Sequence, residues 1–247
     1  MRELLDAVAA AEARLDATVA AMTDDEAGRP SRLPGWTRAE VVTHLARNAD
    51  SNAAMVAATL RGESRAQYPG GREQRSAEIA AGRGRSAAEL LTDLREAATG
   101  WAFVMAAVLD DQWSLMVAAG VGPRPVSQRV HSRLLEVEVH HADLGLAYTF
   151  RDWPEEFAAE QLARTVRSLP ERRTDAAVPG RWRVGSSVVA VGESVSVAEG
   201  GDADGAVDGP PGALLAWLLG RESAGSAGLS VSGDPRVAVL PAAFPYP

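Results

Sequence analysis

The chain has 247 residues, 46% of them hydrophobic, which suits one large core or two modest ones; two are expected. A formal net charge of −8 without a block of basic residues argues against a binder that tracks phosphates, so nucleic acid is not an expected partner. Cysteine is absent, which excludes disulfides, thiolate zinc sites and a cysteine nucleophile, and leaves His, Asp and Glu as the ligands of any metal.

The N-terminal stretch is interrupted by charge every few positions, and no apolar run reaches the roughly 18 residues of a membrane span. A soluble, cytoplasmic protein is therefore expected. Leu4, Leu5, Val8, Ala11, Leu15, Val19 and Met22 recur mostly at three- and four-residue spacing, which predicts a first helix with one buried face. In "LPGWTRAE", Pro34 and Gly35 make a turn, and Thr37 with Glu40 fits the S/T-x-x-E capping box of a second helix that runs to about Gly62. The following "GESRAQYPGGREQRSAEIAAGRGR" reads as a polar loop rich in Gly and Arg. Ser86 and Glu89 form a second capping box before a third helix carrying Leu90, Leu91, Leu94, Ala98, Trp101 and Met105. A fourth helix follows "GVGPRPV" and contains "LLEVEVHHADLG". Four such helices read as an antiparallel bundle over residues 1–150.

The composition then changes, with a boundary expected near residues 148 to 153. Asp152 and Pro154 open another amphipathic helix that ends near Leu169. "RWRVGSSVVAVG" and "ESVSVAEG" read as strands, "GALLAWLLGR" as a helix and "GLSVSG" as a last strand before the Pro-rich tail "LPAAFPYP". Residues 151–247 are thus expected to form a small α+β domain.

The fourth helix carries chemistry that a core helix does not need. With Glu136 at zero and 100° per residue, His140 falls at about 40°, Asp143 at about 340° and Arg133 at about 60°, one polar stripe in the middle of the apolar face. Glu138 and His141 fall on the opposite side, expected to be the outer one. A carboxylate and an imidazole buried together must be paired or bound to a cation. One reading is an Arg133–Glu136 ion pair with His140 hydrogen-bonded nearby. The other adds His44, which shares a face of the second helix with Val41, Asn48 and Met55. His44, Glu136 and His140 form a His2Glu set from two helices, the arrangement of a catalytic zinc that keeps one position open. A lone histidine on such a face is usually a satisfied core residue; the joint occurrence of all three favours metal. His131 and His141 are expected at a helix start or the surface.

"LPGWTRAEVVTHLARNAD" and "RLLEVEVHHADLG", with "LLAWLLGR" in the second domain, resemble the mycothiol-dependent maleylpyruvate isomerases over nearly the whole chain. The first signature is shared with related metal-binding four-helix bundles of the damage-inducible, DinB-like type. The resemblance implies a divalent metal, zinc by preference, on His44, Glu136 and His140, and mycothiol as an external thiol. It also implies a functional arginine, here Arg221, that recognises a carboxylate on substrate or thiol, against the plainer reading of a cation at a helix C-terminus. Arg72 and Arg75 could act similarly, although surface solvation is the simpler account of both. The implied reaction is thiolate addition to the cis double bond of maleylpyruvate, rotation and expulsion of the thiol to leave fumarylpyruvate. A mycothiol S-transferase acting on another electrophile and a non-catalytic metal-containing binding module are the alternatives.

Overall fold

The computed structural model describes residues 1–117, 122–172 and 178–243. The chain divides into two compact units, Met1–Ala147 and Tyr148–Pro247.

In the first unit, α1 (Arg2–Ala20) buries Val8, Ala11, Leu15 and Val19, the stripe set by its apolar spacing. A short α2 (Asp24–Gly28) leads to α3 (Arg38–Leu60), whose N-terminus is closed by the reciprocal Thr37–Glu40 capping box. The segment expected to be loop contains α4 (Gly71–Ala80), a ten-residue helix that buries only Ile79. So little apolar content leaves almost no periodic signal, and packing on α3 holds the helix in place. The Ser86–Glu89 capping box then starts α5 (Ala87–Ala106). A two-stranded ribbon of β1 (Met116–Val117) and β2 (Arg124–Pro125) precedes α6 (Val126–Asp143). Of the expected "GVGPRPV" lead-in, Gly120 and Val121 lie outside the described residues.

The four long helices form a ring in which α1 packs on α5 and α6, and α3 packs on the same two. Polar contacts fix the directions. Asn52 reaches Arg129 while His44 reaches Glu136, so α3 and α6 are antiparallel. Asp16 pairs with Arg95 and Asp24 accepts from the Ala87 N–H, so α1 and α5 are antiparallel as well. By contrast α3 and α5 run parallel, Arg47 meeting Asp93 and Asn52 meeting Trp101. A parallel pair of successive long helices requires a connection that travels back along the bundle, and the segment containing α4 is that connection.

The second unit opens with α7 (Glu155–Ser168), which packs on α8 (Pro211–Leu218). Its mixed sheet is built from β3 (Gly180–Val184), β4 (Ser187–Val191), β5 (Val195–Glu199), β6 (Gly205–Asp208) and β7 (Ser230–Gly233) in the order β5-β4-β3-β6-β7. Among the described strands of this sheet only the β3–β6 pairing is parallel. Between β3 and β4 the chain reverses in two residues, and Gly185 with φ of 57° supplies the left-handed conformation this tight turn requires. Strand β6 has no counterpart among the strands expected from the sequence; four residues, "GAVD", are too few to show alternation. Trp182, Val184, Val189, Val207, Leu214 and Trp217 share one core. A final α9 (Leu240–Ala243) occupies the start of the expected Pro-rich tail, whose last four residues lie outside the described ones.

Candidate metal centre

The seam between α3 and α6 brings together two imidazoles and a carboxylate. His44 Nε2 lies 3.0 Å from Glu136 Oε2, and His140 Nε2 lies 3.4 Å from the same oxygen. One ligand atom from each residue falls within 4.8 Å of the others. Two donors bound to one cation at about 2.1 Å with tetrahedral angles stand about 3.4 Å apart, so the cluster needs only slight adjustment to close on an ion. The two rings meet edge to face with centroids 4.7 Å apart. His44 and His140 are buried, while the Glu136 side chain keeps 24% of its surface exposed and opens the cluster to solvent.

Surrounding groups orient these side chains. Asp143 Oδ2 lies 2.9 Å from His140 Nδ1 and is itself buried. A carboxylate on the far nitrogen keeps a proton there, so that once the ring is neutral the Nε2 lone pair faces the cluster. Trp36, the aromatic residue of the turn before α3, packs edge-on against His44 at 5.6 Å. His44 Nδ1 is buried and has no hydrogen-bond partner among the described residues. That leaves Glu136 as the hydrogen-bond partner of His44 when no cation is bound.

The electrostatics follow from burial and from these contacts. Burial holds the His44 pKa below the usual imidazole range despite its hydrogen bond to Glu136. Burial also opposes charge on His140, but hydrogen bonds to Asp143 and Glu136 prevail and raise it to about 9. For Glu136, burial favours the neutral acid, yet hydrogen bonds from His140 and His44 hold the carboxyl well below its usual range. The donor set of two nitrogens and one anionic oxygen fits a divalent cation of the zinc type.

The alternative pairing of Arg133 with Glu136 is not formed. Arg133 is fully buried, donates to Glu12 Oε1 at 2.9 Å, to the Leu45 carbonyl at 2.8 Å and to Asn48 Oδ1 at 3.2 Å, and so ties α6 to α1 and α3. Glu138 and His141 correct the expectation of an outer face: each is only 1% exposed. Glu138 pairs with Arg14, and His141 Nε2 lies 2.7 Å from Thr18 Oγ1. Because α6 is flanked by α1 as well as α3, the side opposite the stripe faces a neighbouring helix instead of water. His131 is half-buried.

In the second unit, Arg221 follows Gly220 just after α8 and donates from Nη1 to the Leu219 carbonyl at 3.0 Å. This contact matches the plainer reading of a cation serving a helix C-terminus. Arg72 is exposed, as expected of a solvated residue, but Arg75 is not: its Cζ lies 5.8 Å from the centre of the Trp36 ring, and the residue is half-buried. The sequence pattern missed Trp36, which read as turn, whereas Arg75 was a candidate whose simpler account was surface solvation in a loop. Asp143 was legible as a member of the stripe, and its contact with His140 gives it a role.

A bundle with a His2Glu cluster on one seam, continued by a mixed α+β unit, defines a two-part protein of the DinB-like helical class. The chain belongs to the mycothiol maleylpyruvate isomerase family, whose N-terminal domain matches residues 8–145. The crystal structure of the mycothiol-dependent maleylpyruvate isomerase has the same fold, with a TM-score of 0.78 at 24% identity over 94% of this chain and 92% of that one. A histidine-to-alanine mutant of that enzyme superposes equally well, with a TM-score of 0.78 at 23% identity and the same coverage of both chains. No curated protein matches the chain. Among the described residues no helix is long and apolar enough to cross a membrane.

Proposed function

We propose that the protein is a mycothiol-dependent maleylpyruvate isomerase that holds a divalent cation, zinc by preference, on His44, Glu136 and His140. The observation that carries this reading is the convergence of two Nε2 atoms and one carboxylate oxygen at the α3–α6 seam in a chain of this family. When bound with one position open, such a cation lowers the pKa of a thiol so that thiolate is available at neutral pH.

The residues of the chain prepare that chemistry. Asp143 holds a proton on His140 Nδ1, so that Nε2 is the nitrogen a cation would take in place of its proton. Glu136 supplies the anionic oxygen, and its partial exposure leaves a path for ligands. Since the chain has no cysteine, the sulfur must come from an external thiol. In the proposed reaction a carbon–sulfur bond forms as the cis double bond gives its electron pair to the adjacent carbonyl as enolate. The former double bond, now single, turns. Return of the pair re-forms the double bond in the trans arrangement and breaks the carbon–sulfur bond, so thiolate is regenerated and nothing is consumed. Arg221 is proposed to take a carboxylate through its bidentate fork during the rotation.

The test is an assay with maleylpyruvate on cation-loaded protein, with and without mycothiol. Fumarylpyruvate should form only with the thiol, and the thiol should be recovered unchanged. Stoichiometric loss of thiol would overturn isomerisation in favour of S-transfer, and turnover without thiol would overturn its role altogether.

A further inference from the structure

The rim of the His44–Glu136–His140 cluster carries a cation, Arg75, that pairs with no carboxylate among the described residues. Other arginines that flank α3 meet acids: Arg83 pairs with Glu40, while Arg47 and Arg85 pair with Asp93. Among the described residues no carboxylate pairs with Arg75. Its guanidinium is held over Trp36, 5.8 Å from the ring centre, and the same ring packs edge-on against His44 at 5.6 Å. Trp36 therefore connects the cation to the metal-ligand candidate through two direct contacts. Arg75 also meets the half-buried Tyr68 phenol through a hydrogen bond and through its charge, and the charge bears on His44 itself.

The anionic oxygen of Glu136 is already shared by two imidazoles. An external carboxylate would supply Arg75 with an acidic partner, and a guanidinium held beside an aromatic ring can donate to one bidentately through its planar fork. We infer that Arg75 is a substrate-recognition residue of this site, taking one carboxylate of a small dicarboxylate while Trp36 holds its side chain at the rim. The inference rests on the functional reading above, whose substrate carries a carboxylate at each end, and deepens it by assigning one of them to the helical unit.

The probe is maleate, a cis dicarboxylate that can be titrated calorimetrically into the full-length, cation-loaded protein without any turnover. Wild type should bind it, Arg75→Gln should weaken binding at least about tenfold, and Arg75→Lys should fall between, because lysine keeps the charge and the aromatic contact but loses the fork. Metal content and thermal midpoint should be unchanged in both. A purely structural stacking role predicts the reverse pattern, a lowered midpoint with maleate affinity intact. Wild-type affinity in Arg75→Gln, or no maleate binding by wild type, would overturn the inference. If Arg75→Gln does not fold, Arg75→Lys decides by the same comparison. Maleate binding that depends on Arg75 in a protein unable to isomerise maleylpyruvate would remove the isomerase reading and leave the carboxylate site standing. Isomerisation with an unaltered KM in Arg75→Gln would do the opposite.

Discussion

His140 has a carboxylate at each ring nitrogen, Asp143 at Nδ1 and Glu136 at Nε2. With its pKa raised to about 9, the ring is protonated at pH 7 when no cation is bound. A cation must displace that proton, because only the neutral ring can bind. Zinc binding at pH 7 should therefore release about one proton per chain, and apparent affinity should rise about tenfold per pH unit until it levels off near the His140 pKa. Calorimetry in buffers of different ionisation enthalpy measures the release directly, and a value near zero would mean that His140 is not a ligand. The neighbouring histidine separates ligation from packing. His140→Ala should lose most of the metal, whereas His141→Ala should keep it and lose about 1–2 kcal/mol of stability, since Thr18 and the tight α1–α6 contact lose a buried partner. Elemental analysis beside urea denaturation checks both. Helical projection placed Glu136, His140 and Asp143 together because a single axis decides that question. It misplaced Glu138 and His141 because their environment depends on where α1 lies, which no property of α6 records.

The elements that could be read from the sequence are those with a local cause. Thr37 and Ser86 announce α3 and α5 through side chains that bond their own helix starts, and the apolar spacing of α1 is visible along its whole length. Helix α4 and strand β6 were missed because neighbours, more than their own residues, hold them in place. The junction between α4 and α5 shows what that dependence requires. At Gly82 an added Cβ would come 2.0 Å from Thr43 Oγ1 and 2.6 Å from Thr43 Cβ on α3. Thr43 is buried and cannot swing away freely. Gly82→Ala should therefore push the α4–α5 junction off α3 and destabilise the protein by about 1–3 kcal/mol, the usual effect of overpacking. A thermal midpoint equal to wild type would show that the junction shifts at no cost. Because Trp36 and Arg75 meet through α4, the same variant should also disturb that contact.

At the scale of the whole molecule, the change from periodic helices to short Val-rich strands was visible in the composition, and the two units meet at residues 147 and 148. All three proposed metal ligands belong to the first unit, and the residue proposed to act from the second is Arg221. Two roles compete for that side chain. Its hydrogen bond to the Leu219 carbonyl is what a helix C-terminal cation makes, and such a charge is worth about 0.3–1 kcal/mol when exposed. Recognition of a carboxylate instead uses the planar fork, which lysine cannot reproduce. Arg221→Lys preserves the charge at the helix end and therefore separates the two. If recognition is its role, turnover of maleylpyruvate at saturating mycothiol should fall by at least an order of magnitude, while metal content and thermal midpoint stay at their wild-type values. The loss should also exceed that of the binding constant for the isolated thiol, because the arginine is assigned to the carboxylate of the reacting molecule. Wild-type turnover in Arg221→Lys would return Arg221 to its helix end and leave Arg75 as the proposed carboxylate partner.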